Sequence, residues 1–200
     1  MIPIPLQPNY DLHLICAHLN RKAYNQKVKQ SVYHEKVRNK DIVIFKGTSN
    51  LKELSYSLQL WENNSKIHEG YFQYSQNCKH KVLNLEIENR PNLVFTGHSL
   101  GSIAAALVAN ELNIKAEVVL FGSPKLATRE FRDQIEQNDN LTIFNYVNKN
   151  DVIAEYPFVY YYHMSEPIYL ENGNIKYMNP ISYHSMQQYA FNILRRKKQT

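Results

Sequence analysis

Residues 93–101 read Leu-Val-Phe-Thr-Gly-His-Ser-Leu-Gly and run directly into Ser-Ile-Ala-Ala-Ala-Leu-Val-Ala. A short apolar run, a serine between two glycines and a helical apolar run follow one another without a spacer. This order fits a strand that turns sharply into a helix, with Ser99 at the apex of the turn. Such a turn needs glycine two residues before and two residues after the serine. A side chain at Gly97 or Gly101 would collide with the neighbouring strand or helix. The strained turn lifts the hydroxyl clear of the sheet, which makes Ser99 a candidate nucleophile.

The rest of the chain alternates in the same manner. Apolar spacing predicts one or two helices over residues 10–38, then a strand over 41–45 that ends in Lys46-Gly47-Thr48. Helices are expected over 51–61 and 70–85, the latter with Tyr71, Tyr74, Cys78, Val82 and Leu85 on one side. The elbow strand (93–96) and its helix (100–112) come next. A third strand covers 117–121 and ends in Gly122-Ser123-Pro124, a helix covers 128–137, and a strand covers 141–147 before Asn148-Lys149-Asn150-Asp151. Short strands are expected at 159–164, 168–170 and 174–177, the last two as a hairpin around Asn172-Gly173, and a closing helix at 182–194. Strands alternating with helices imply an α/β fold, with a mainly parallel central sheet covered on both faces. Functional residues of such sheets collect at the carboxyl ends of the strands, where Thr48, Ser99, Ser123 and Asp151 fall.

Length and composition place few further limits. A chain of 200 residues, 44% hydrophobic and 20% charged, is expected to form one domain over residues 1–200, with a helical N-terminal region at 1–40 and a basic tail at 195–200. No apolar run reaches the length of a membrane span, and the start Met-Ile-Pro-Ile-Pro-Leu-Gln-Pro has neither the basic nor the apolar region of a signal peptide. The default expectation is therefore cytoplasmic, with membrane-peripheral attachment open. Cys16 and Cys78 are far apart and in no metal or redox spacing, so free structural thiols are expected and no metal site or cofactor is called for. The net charge of +5 is concentrated at Arg195, Arg196, Lys197 and Lys198. That run reads as a solvated tail after the last helix or as an attraction to anionic lipid; no nucleic-acid motif accompanies it.

A serine nucleophile needs a base, and the base needs a group to orient it. In chains with this kind of elbow the order is Ser, then an acid, then His. Two histidines follow Ser99. His163 lies within an apparent strand and reads as a structural, hydrogen-bonded histidine. His184 opens the last helix, where the preceding loop can bring its imidazole back over the sheet edge, and is the preferred base. Asp133 falls mid-helix and Asp139 in a polar turn. Asp151 directly follows a strand and is the preferred orienter, against a plain turn-capping role. The oxyanion donors are expected to be the backbone N–H of Leu100, at a helix N-terminus, and Thr48, on the loop after an earlier strand.

Taken together, these pieces resemble the class 3 (fungal-type) lipases of the α/β-hydrolase fold, from about residue 41 to 190. Phe45-Lys46-Gly47-Thr48 is similar to that family's Phe-Arg-Gly-Thr/Ser oxyanion strand, and His68-Glu69-Gly70-Tyr71 to its His-x-Gly-Phe helix start. Thr96 to Gly101 is nearly its elbow verbatim, and Phe121-Gly122-Ser123-Pro124 matches its next strand end. Asn150-Asp151-Val152-Ile153 with Pro157 resembles its acid loop, and His184-Ser185-Met186-Gln187-Gln188-Tyr189 its closing motif. The six motifs occur in order and use five of the six glycines, leaving only Gly173 outside. The departures are Lys46 for the usual Arg, Ser102 for a common Gly, Ala127-Thr128 for Gly-Asn, Ala154 for a proline, and no Trp-Asp pair after Thr48. None removes a catalytic atom.

The resemblance implies a serine esterase acting on acylglycerols or phospholipids (lipase or phospholipase A1 type) through an acyl-enzyme. Ser99 is its implied nucleophile, His184 its general base and acid, Asp151 the orienter, and Thr48 with Leu100 the oxyanion pair. The family often carries an amphipathic lid; Leu51, Leu54, Leu58, Leu60 and Trp61 in residues 50–67 read equally as lid or as core. The expected partner is a lipid ester substrate, with contact at a lipid interface and without nucleic acid. Two alternatives use the same residues: a lipase-like membrane-binding protein without turnover, and an acyltransferase with an acceptor other than water.

Overall fold

A computed structural model describes residues 7–26, 30–48, 69–87, 90–156, 161–172 and 179–199. The sequence candidates Leu51, Leu54, Leu58, Leu60 and Trp61, His68, Pro157 and the strand expected at 174–177 lie outside the described residues.

Six strands form one sheet in chain order. β1 (Val32–Val37) runs antiparallel to β2 (Lys40–Phe45). From β2 onward, β3 (Leu93–His98), β4 (Ala116–Phe121), β5 (Leu141–Asn148) and β6 (Pro167–Leu170) pair in parallel. The central strands are apolar at nearly every position because both faces of a parallel sheet are covered. Alternation then sorts them: Val43, Phe45, Phe95, Val118 and Leu120 face one core, while Ile42, Ile44, Val94, Val119 and Phe121 face the other.

The sequential strand order decides where the helices go. Right-handed crossovers that always step in the same direction place their helices on the same face. That face carries α2 (Glu69–Leu83), α3 (Leu100–Leu112) and α4 (Arg129–Glu136), which contribute Tyr71, Cys78, Val82, the buried run Ile103–Ala109 and Ile135. Among the described residues the opposite face has no crossover helix. It is covered from the two ends of the chain, by α1 (Tyr10–Tyr24) and α6 (Met186–Lys197), which pack on each other and bring Leu12, Cys16, Met186, Tyr189 and Ile193. A four-residue helix α5 (Val152–Glu155) follows β5, and a 3-10 turn (Pro180–His184) leads into α6.

Four expectations change. The helical reading of residues 10–38 holds only to Tyr24, because Val32 and Tyr33 belong to β1, which turns back on β2 through Arg38 at φ 55°. The described part of 159–164 is no strand; Tyr162 makes an isolated bridge to Ala127. The closing helix is split, since Ser185 accepts from Gln188 N–H as a new N-cap. Arg195, Arg196 and Lys197 are the last turn of α6 rather than a loose tail: Arg196 donates to Tyr10 and to the Tyr169 carbonyl, and Lys197 pairs with Asp11. Cys16 and Cys78 are free and buried, in the cores on opposite faces of the sheet. Among the described residues no helix is long and apolar enough to cross a membrane.

Candidate active site

The elbow has the geometry its sequence predicts. Ser99 follows β3 at φ 56°, ψ −126°, a conformation that costs an L-residue about 1–3 kcal/mol and persists only where packing enforces it. The enforcement is visible at both glycines. A Cβ on Gly97 would lie far inside contact with the Gly101 backbone, and one on Gly101 would strike the Phe45 carbonyl. Helix α3 is thus pressed against β2 and β3, and the Ser99 N–H donates to the Phe121 carbonyl at 3.0 Å. Ser102, where the resemblance leads one to expect glycine, donates its hydroxyl to the Ser99 carbonyl and is fully buried without an unmet polar group.

His184 and Asp151 meet at the carboxyl ends of the strands. Asp151 caps α5, accepting from the N–H groups of Ile153 and Ala154 at 3.1 Å each. A proline at 154 has no N–H to give, so the alanine adds a donor to the carboxylate. Tyr189 donates to Asp151 Oδ2 at 2.6 Å, and His184 Nδ1 lies 2.8 Å and 3.0 Å from its two oxygens. A carboxylate only accepts, so Nδ1 carries the proton and Nε2 keeps its lone pair. Burial opposes the Asp151 charge, but His184, Tyr189 and the Ala154 amide outweigh it and hold the carboxyl below its ordinary pKa.

Ser99 and His184 are bracketed by the same neighbours. His98, the residue before Ser99, packs its ring 4.6 Å from that of His184. Gly122, the residue after the carbonyl that Ser99 N–H bonds, faces His184 at φ 57°, where an added Cβ would sit 3.0 Å from Cε1. Ser99 Oγ and His184 Nε2 are both buried, and neither has a hydrogen-bond partner among the described residues. A buried hydroxyl and a buried ring nitrogen without partners each call for an explanation, and a nucleophile and its base awaiting substrate supply one.

The oxyanion candidates adjoin the elbow. Gly47 packs so closely on the His98 carbonyl and the Tyr24 ring that any side chain would strike both, which sets Thr48 beside the Ser99 turn. Leu100 is the first residue of α3, whose opening amides have no partner within the helix. Thr48, His98 and His184 line a cavity of about 620 Å³ together with Arg21, Tyr24 and Ile181.

Of the other candidates, Asp133 lies on α4 and Asp139 in the turn before β5, away from His184. His163 is buried beside the Ser123 backbone, with Nε2 3.9 Å from Glu155, beyond hydrogen-bond range.

Sequence reasoning missed the layer behind Ser99, His184 and Asp151. Tyr24 on α1 donates to His98 Nδ1 at 2.7 Å, and His98 Nε2–H donates to the His184 carbonyl at 2.6 Å. Burial, then the neighbouring His184, push the His98 pKa down to about 3, which keeps this ring neutral. On the other side Asn148 donates to the Tyr183 carbonyl at 2.7 Å, accepts from Asn192 at 2.9 Å, and offers its N–H to Tyr189 Oη. Tyr189 and His98 were in view as motif letters without a role. Nothing local marks Tyr24, which reaches His98 from 74 residues away.

The family model for lipase (class 3) matches residues 42–161. Phospholipase A1-IIdelta of Arabidopsis thaliana is 32% identical over 77 residues, 35% of this chain and 19% of that protein. Phospholipase A1-IIalpha of the same plant is 28% identical over 128 residues, 54% of this chain and 30% of that protein. The aligned stretches thus span less than a third of these relatives' length. Among solved structures, Rhizomucor miehei triacylglyceride lipase superposes with a TM-score of 0.67 at 14% identity, over 82% of each chain. The mono- and diacylglycerol lipase of Aspergillus oryzae gives 0.63 at 14% identity, over 87% of this chain and 84% of that one. At such identities the structures establish the shared α/β-hydrolase fold.

Proposed function

Because this chain belongs to the class 3 lipase family, we propose that it hydrolyses carboxylic esters of lipids, acylglycerols or glycerophospholipids, through Ser99, His184 and Asp151. The observation that carries this reading is the buried His184–Asp151 pair, packed on His98 beside the strained Ser99 turn, with His184 Nε2 and Ser99 Oγ both lacking a hydrogen-bond partner among the described residues.

In the proposed reaction Ser99 Oγ attacks the ester carbonyl carbon and its proton passes to His184 Nε2. Asp151 fixes the Nδ1–H tautomer and stabilises the imidazolium. The carbonyl oxygen, now negative, is met by the N–H of Leu100 and by Thr48. The intermediate collapses, the bond to the alcohol oxygen breaks, and His184 returns the proton to that oxygen. Water then attacks the acyl-Ser99 ester along the same path and releases the fatty acid.

The test is labelling with a serine-directed fluorophosphonate together with hydrolysis of p-nitrophenyl butyrate. Wild type is expected to label and turn over, and Ser99→Ala to do neither. A folded wild type that does not label, or that binds lipid vesicles without cleaving any ester, overturns the proposal.

A further inference from the structure

We infer that Arg21 binds the phosphate of a glycerophospholipid positioned for cleavage at Ser99, an inference that rests on the hydrolase reading above and names its substrate class. Arg21 lies in the last turn of α1, on the wall of the cavity that also contains His184 and Thr48. At about 620 Å³ the cavity has room for a glycerol backbone and its head group beside the reacting ester.

The charges on its walls select among lipids. No aspartate or glutamate occurs among the described lining residues. His98 stays neutral for the reason given above, so Arg21 is the one permanently charged side chain in that described lining. The next residue, Lys22, is occupied by Glu35 at 2.8 Å. The Arg21 guanidinium makes no hydrogen bond or ion pair among the described residues, which leaves its planar set of donors open to a tetrahedral oxyanion. Asn25, Ser182 and Gln187 in the same lining add neutral polar groups. A diacylglycerol brings nothing for a guanidinium to hold. A phosphodiester brings a permanent negative charge close to the sn-1 and sn-2 esters. Because the described lining holds no carboxylate for an ammonium, it is the phosphate that this wall recognises rather than the amine that some head groups carry.

The decisive quantity is the ratio of kcat/KM for dioleoyl phosphatidylcholine to that for dioleoylglycerol, each diluted equally in nonionic mixed micelles. Wild type is expected to favour the phospholipid. Arg21→Gln is expected to lower the ratio by about ten- to a hundredfold, the range given by loss of one charge-assisted hydrogen bond. Arg21→Lys, which keeps the charge and loses the planar fork, should fall between them. A ratio that moves by less than about twofold in Arg21→Gln overturns the inference, judged against that same expected range. So does an unmoved ratio with relief of inhibition by added oleate, which assigns Arg21 to the product carboxylate. Fluorophosphonate labelling and p-nitrophenyl butyrate turnover of the same preparations separate the two levels. If wild type shows neither, the hydrolase reading fails. If it shows both while the ratio stays fixed, the Arg21 inference alone fails.

Discussion

Gly122→Ala is expected to disable His184 without replacing any atom of Ser99, His184 or Asp151. Gly122 sits at φ 57°, where an L-residue costs about 1–2 kcal/mol. The new Cβ would lie 3.0 Å from His184 Cε1, 3.0 Å from Tyr189 Oη and 3.1 Å from His184 Nδ1. Each of these atoms belongs to the unit centred on Asp151, so none can retreat alone. Moving the imidazole lengthens its 2.8 Å bond to Asp151 and drives it onto the His98 ring; moving Tyr189 lengthens its 2.6 Å bond to the same carboxylate. Relief of a few tenths of an ångström must come from the triad itself. Since a misplacement of about 1 Å costs on the order of a hundredfold, kcat should fall by roughly tenfold. Backbone strain and contact together should lower stability by about 2–3 kcal/mol, a fall in Tm of several degrees for a chain of this length. The assay is kcat on p-nitrophenyl butyrate well below Tm, alongside thermal unfolding. A variant that loses stability but keeps wild-type kcat refutes the claim that Gly122 makes room for the histidine.

Tyr189→Phe removes the hydroxyl that donates to Asp151 and strips Asn148 N–H of its acceptor, so stability should fall by about 2–4 kcal/mol in urea titration. With one donor fewer the Asp151 carboxyl titrates higher, and the acidic limb of the kcat/KM profile should move to higher pH; an unchanged limb counts against the role given to Tyr189. Stability should also fall on acidification from pH 6.5. The His98 ring, held down to about 3 first by burial, and the His163 ring, held down to about 4 chiefly by burial, stay neutral in the fold while the unfolded chain protonates them. Their folded pKa values lie below the unfolded ones, so the stabilisation is complete above pH 6.5 and is lost as pH falls toward 4 and 3. The slope should approach about 3 kcal/mol per pH unit near pH 5, and His163→Asn should roughly halve it; a flat profile between pH 7 and 5 contradicts both assignments.

The sheet was legible wherever a strand is buried on both faces. Ile42 to Phe45, Leu93 to Phe95 and Val118 to Phe121 are continuous apolar runs, and such runs have few other uses. β1 was not, because Val32 and Tyr33 prolong the helical spacing of α1 and the turn to β2 lacks the expected glycine: Arg38 takes the positive φ. The site divides in the same way. Ser99, His184 and Asp151 are fixed by local turns that need particular residues at particular offsets, and such offsets leave a trace in the sequence. Tyr24 and Asn192 are placed by the packing of α1 and α6 across the sheet, and a side chain positioned by tertiary packing leaves none.

This difference explains why the two terminal helices belong to the site and not merely to its cover. The described crossover helices occupy one face of the sheet, and α1 and α6 cover the other. Once there, α1 and α6 hold the loop that carries His184 from two sides. Tyr24 of α1 fixes His98, which takes the His184 carbonyl; Tyr189 and Asn192 of α6 fix Asp151 and Asn148, which takes the Tyr183 carbonyl. The backbone on either side of the His184 α-carbon is thus tied down by side chains that α1 and α6 orient. α1 also delivers Arg21 to the cavity wall. A single helix–helix contact, α1 on α6, therefore sets both where the imidazole points and where the cavity carries its charge. A change that separates the two helices should impair turnover of every ester as well as selection of the phosphate.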